Sequence, residues 1–75
     1  MKRFDFLKEI IDSIEIEEEI NENMVLDDIE EWDSLAAVTT LALFKQKLGL
    51  NIGAQDVKKC QTVKDLLDLG SAKYE

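Results

Sequence analysis

At Trp32-Asp33-Ser34-Leu35 an acidic, turn-prone stretch gives way to the most continuously apolar run in the chain. Asp33 is a good helix N-cap, because its carboxylate can accept hydrogen bonds from the unsatisfied amides of a first turn. That puts Ser34 at the first helical position with its hydroxyl facing solvent. A phosphate esterified to this oxygen would lie beside free backbone amides and the positive end of a helix dipole. The sequence therefore offers a phosphate-tolerant attachment point at Ser34, a position that serine also takes at helix starts for capping reasons alone. Self-contained catalysis is not expected. The chain has no histidine, the commonest general base and metal ligand, and its lone cysteine, Cys60, is expected to be a small buried hydrophobe. No catalytic residue and no metal site is assigned.

Positioning Ser34 requires a helix that begins there, and its signals are strong at both ends. Gly49 is suited to a left-handed C-cap, and Lys45 and Lys47 in the preceding turn complement the dipole. The spacing predicts a helix from Ser34 to about Leu48 with Ala37, Leu41, Phe44 and Leu48 as its core stripe and Thr40 at the edge. Leu35, Val38 and Ala42 fall on a neighbouring stripe close to the direction of Ser34. So wide an apolar arc in so small a chain implies that this second stripe is kept for a partner.

The rest of the chain reads as helices and one long loop. With no proline, three glycines and no sustained alternation, helices are the default. A first helix is predicted from Lys2 to Ser13 or Ile14, with Phe4, Leu7, Ile11 and Ile14 on one face, widened by Phe6 and Ile10. The stretch Glu15 to Trp32 is expected to be an ordered connection pinned by Ile16, Ile20, Met24, Val25, Leu26 and Ile29, with a short helical turn within Asn21 to Leu26. A short helix is predicted from Ala54 to about Lys59, with Val57 turned to the core. The last helix follows Thr62, whose hydroxyl and Asp65 approximate a capping box. Gly70 should end it, and Ser71 to Glu75 should fray.

The chain has 75 residues and a net charge of −8. One small domain, residues 1–75, is expected, and a monomer. The charge argues against nucleic acid, which is held by Lys and Arg. Ten of the seventeen acidic residues lie between Glu15 and Asp33, a stretch with no Lys or Arg. That is a local field, either a solvated face or one that steers basic protein surfaces, for which Asp27, Asp28, Glu30 and Glu31 are the recognition candidates. No apolar run approaches the roughly 20 residues of a membrane span and no charged-then-apolar leader opens the chain, so a cytoplasmic location is expected.

Taken together, Leu26-Asp27-Asp28-Ile29, Trp32-Asp33-Ser34-Leu35, Phe44 to Leu50 and Thr62-Val63-Lys64-Asp65-Leu66 follow a familiar order. The chain resembles the acyl carrier protein family over essentially its whole length. The resemblance implies an all-α, four-helix bundle with a long ordered loop between helices one and two and a short third helix. It implies that a phosphopantetheinyl transferase, using Mg2+ and coenzyme A, attaches 4'-phosphopantetheine to Ser34 through a phosphodiester. The arm's thiol then holds acyl groups as thioesters. Asp33 would lie close to the transferase's metal, Leu35 and Val38 would face partner enzymes, and Leu41, Phe44 and Leu48 would line the interior.

The chain departs from the family in one respect. Carriers of type II fatty acid synthesis usually bear several carboxylates along the second helix, whereas this one has Ala36, Thr39, Lys45, Gln46 and Lys47 there. A specialised biosynthetic carrier is therefore expected, working in trans with acyl-activating and acyl-transferring enzymes. A carrier for an aminoacyl or aryl group, or an unmodified acidic helical adaptor, would share the same general features.

Overall fold

A computed structural model describes all 75 residues, Met1 to Glu75. Helix α1 spans Arg3–Ile14, α2 Ser34–Leu48, α3 Ala54–Lys58 and α4 Val63–Asp68, with 3-10 turns at Leu26–Asp28 and Ser71–Lys73. The protein is all-α, as expected, with α1 packed on α2 and α4, and α3 packed on α2. Phe6 of α1 and Phe44 of α2 meet at the centre with ring centroids 4.9 Å apart, both fully buried. Leu66 and Leu67 of α4 close the same core, with Leu26 and Ile29 of the long loop beneath them. Burying side chains of this size is what holds so short a chain together.

Local signals set the ends of the elements. Thr62 Oγ1 accepts from the Asp65 amide at 3.2 Å while Asp65 Oδ2 accepts from the Thr62 amide at 3.2 Å, the reciprocal box that opens α4. Gly49 closes α2 at φ 68°, and the Leu50 amide reaches back to the Phe44 carbonyl at 3.1 Å. Helix α1 ends in the same kind of turn, with the Ile16 amide on the Ile11 carbonyl at 3.1 Å, but its left-handed residue is Glu15, at φ 61°.

The long loop is ordered because it is bonded to the segment before α4. The Leu26 amide donates to the Gln61 carbonyl at 2.8 Å, the Val63 amide to Met24 at 3.0 Å and the Lys64 amide to Glu22 at 2.9 Å, forming an isolated antiparallel bridge between Val25 and Thr62. Arg3 clamps the same place, with Nη2 2.8 Å from Glu22 Oε1 and 2.7 Å from Asp68 Oδ1. A turn does form within Asn21 to Leu26, where the Met24 amide donates to the Asn21 carbonyl at 3.3 Å, and a second, 3-10 turn follows at Leu26–Asp28 after the extended Val25.

Three expectations about faces and ends are corrected. Helix α1 buries Phe6, Leu7 and Ile10, while Phe4 is 64% exposed beneath the Lys8 ammonium, 5.0 Å from the ring centroid. Contact with both α2 and α4 rotates the helix away from the stripe its apolar spacing suggested. Helix α2 buries Ala36, Thr40 and Leu43 with Phe44 and Leu48, leaving Ala37 and Leu41 half-buried. Thr40 can be wholly buried because its hydroxyl donates to the Ala36 carbonyl at 2.9 Å. The last residues do not fray: Tyr74 packs near Phe6, and its hydroxyl donates to the Leu67 carbonyl at 2.8 Å.

Candidate functional site

Asp33 is extended, and its Oδ1 accepts from the Ala36 amide at 2.8 Å, the cap that the sequence indicated. The Asp33 carbonyl receives the Ala37 amide at 3.0 Å, so two bonds set the first turn of α2. Ser34 occupies the first position of this turn and is exposed. Its backbone is thus well ordered while its side chain is free to be approached. In the preceding turn the Trp32 amide donates to the Ile29 carbonyl at 3.0 Å, and the indole packs partly against the core.

Ser34 opens onto a cleft of about 840 Å³ between α2 and α3. Its α2 wall is Ala37, Val38 and Leu41, and its α3 wall is Ala54, Val57 and Lys58. The bridged segments bound it further, through Val25 and Asp27 on one side and Cys60, Gln61 and Thr62 on the other. This is why Ala37 and Leu41 are only half-buried: they face the cleft rather than the core. Leu41 also borders a second, shallower hollow of about 450 Å³ that includes Ala42, Lys45 and Ile52. The apolar walls suit methylene groups, and the polar rim suits amide and hydroxyl groups.

The other sequence-identified residues distribute around this cleft. Leu35 is 73% and Val38 60% exposed, and Ala42 is exposed along the same helix, so α2 presents an uncharged apolar edge beside Ser34. Asp27, Asp28 and Glu30 are exposed, and only Asp27 borders the cleft. Glu31 differs from these: it is half-buried, and its Oε2 accepts from the Glu17 amide at 3.1 Å, which ties the loop to itself.

Cys60 is half-buried rather than enclosed in the core, because it lines the cleft between α2 and α3. Its thiol donates to the Asp56 carbonyl at 3.4 Å. Burial, and then the carboxylates of Asp65, Asp56 and Asp68, push this thiol above the ordinary range, which keeps it protonated and a poor nucleophile near neutrality. Lys58 and Gln61 are cleft residues that sequence reasoning missed. Nothing in their local pattern marks them, since they reach the cleft only through the packing of α3 on α2.

A family model described as a phosphopantetheine attachment site matches residues 5–69. No curated protein and no solved structure matches the chain.

Proposed function

The chain belongs to the phosphopantetheine-attachment family of acyl carrier proteins, and from that premise we propose that Ser34 bears the arm. Members of this family carry substrates on a 4'-phosphopantetheine joined covalently to a serine and are not themselves catalysts. They work with a phosphopantetheinyl transferase and with acyl-handling enzymes.

The observation that carries the assignment is the position of Ser34, exposed on a capped first turn at the mouth of the cleft. The residues present fit the group. An exposed hydroxyl on ordered backbone can enter a transferase active site that supplies the base and the metal, so a chain without histidine can still be modified. The terminal thiol of the bound arm supplies the thioester linkage for cargo. Asp33 holds the turn and, in the transferase complex, lies close to the metal. Trp32 anchors the loop that leads into the helix.

The rest of the reading concerns partners. Leu35, Val38 and Ala42 form the docking edge, and Asp27, Asp28 and Glu30 steer basic enzyme surfaces toward it. Helix α2 carries no carboxylate between Ser34 and Leu48, which supports a specialised carrier of acyl thioesters over a carrier of bulk fatty acid synthesis. Residues 1–75 act as one monomeric carrier domain, in trans and in the cytoplasm. One hydrophobic core supports the single domain, and no helix is long and apolar enough to cross a membrane.

Incubation with coenzyme A, Mg2+ and a promiscuous phosphopantetheinyl transferase should raise the intact mass by one phosphopantetheinyl group. Ser34→Ala should abolish the increment with helicity retained. A wild-type protein that stays unmodified would overturn the reading in favour of an unmodified adaptor.

A further inference from the structure

Three charged side chains line the cleft at Ser34: Asp27, Asp33 and Lys58. Asp33 is committed to the cap of α2, and Asp27 stands exposed at the rim. Lys58 is the one cation of the cleft. Like Lys2, Lys8, Lys45, Lys59 and Lys73, it takes part in none of the ion pairs of a chain whose net charge is −8, so its ammonium is available to an anion in the cleft. The next residue, Lys59, is also exposed but does not line the cleft.

We propose that Lys58 is the counter-charge for the phosphodiester that modification places on Ser34, and that it biases the arm into the cleft. This rests on the assignment of Ser34 above. Modification adds a negative charge beside Asp33 and Asp27, downstream of the most acidic stretch of the chain. Like charges lining one cleft favour an arm turned out into water. Lys58, on the α3 wall, is the one lining side chain whose charge favours the opposite orientation. A lysine suits the task, because an ammonium on a flexible stem meets phosphate oxygens as a point charge without demanding a fixed fork geometry. The apolar walls formed by Val38, Leu41 and Val57 then accept the methylene portions of the arm. Lys58 is thus a positioning residue, which acts on where the arm rests and not on how it is attached.

The test compares the melting temperatures of apo and holo protein, each verified by intact mass, for wild type, Lys58→Gln, Lys58→Arg and Lys59→Gln. Lys58→Gln should lower the holo-minus-apo difference by about 1–8 °C, the range of one exposed charge pair in a domain of this size. Lys58→Arg should retain the wild-type difference and Lys59→Gln should leave it unchanged. The effect should shrink on going from about 0.05 M to about 0.5 M NaCl. The backbone amide resonances of position 58 and of Cys60 should shift on modification of wild type and not of Lys58→Gln.

Equal effects of Lys58→Gln and Lys59→Gln, or equal effects in apo and holo protein, would overturn the proposal. So would an effect that appears only after loading with a dicarboxylic acyl group, which would place the anion on the cargo. Only mass-verified holo protein enters the comparison, so the two failures are distinguishable: a wild type left unmodified at Ser34 overturns the attachment assignment and this proposal with it, whereas a modified wild type without the Lys58 effect overturns this proposal alone.

Discussion

Asp33 Oδ1 accepts from the Ala36 amide at 2.8 Å, so one carboxylate holds the turn on which Ser34 stands. Removing the acceptor leaves an orphan donor at the start of the helix. Asp33→Ala should destabilise the protein by about 1 kcal/mol, a fall in melting temperature of about 4–8 °C for a chain of this size. Asp33→Asn, which keeps an acceptor, should retain most of that stability. Thermal unfolding followed by far-ultraviolet circular dichroism would measure both, and an unchanged Asp33→Ala would remove the cap from the account.

Leu35 is 73% exposed one residue beyond Ser34, so its side chain contributes little to the core. Leu35→Glu should change stability by no more than about 0.5 kcal/mol. It should slow arm attachment by a phosphopantetheinyl transferase about tenfold, the cost of losing one apolar contact at a docking interface. Initial rates from the mass increment would decide it, and a wild-type rate would exclude Leu35 from that interface.

Gly70 is buried for a packing reason. A Cβ built there would stand 2.7 Å from Leu48 Cδ1, 3.0 Å from the Tyr74 hydroxyl and 3.2 Å from Phe44 Cε1. Gly70→Ala should therefore cost about 1–3 kcal/mol through overpacking, visible as a lower urea midpoint. A wild-type midpoint would mean that the C-terminal turn yields at no cost.

Glu15 holds a left-handed conformation at φ 61° in the turn that closes α1, and it also puts a negative charge at the negative end of the helix dipole. Glu15→Gly should stabilise the protein by about 0.5–1 kcal/mol, after allowance for the larger entropy glycine brings to the unfolded chain. A lower urea midpoint for this variant would contradict the argument.

Asp65 accepts from the Gln61 amide at 3.1 Å and the Thr62 amide at 3.2 Å, and these bonds hold its carboxyl below the usual range. A depressed folded-state value contributes stability that is present above the unfolded value, near pH 4, and is lost as the pH falls through the folded value. Asp65→Asn should therefore be less stable than wild type at pH 7, and the gap should narrow as the pH drops below about 4. Urea midpoints across that range test the sign, and a gap that widens on acidification would refute it.

Capping and the motif were legible in the sequence because they depend on residues within a turn or so of one another. Asp33 with Ala36, Thr62 with Asp65, and Gly49 after Leu48 needed no distant partner, and together they placed the start and end of α2 and the start of α4. They also put Ser34 at an exposed first position. Helix rotation and wall-building could not be read this way. Phe4 and Phe6 are equally apolar, and only contact with Phe44 and Tyr74, far along the chain, turns Phe6 inward. Likewise Thr40 is buried and Leu41 faces a cleft because α3 packs on one side of α2 and α1 on the other. The bridge between Val25 and Thr62, the Arg3 clamp and the arrival of Lys58 at the cleft join segments well separated in sequence. The sequence by itself determined where the proposed attachment serine stands, through short-range hydrogen bonds. Only the tertiary structure decided what it faces, because the cleft exists where separately encoded segments exclude water together.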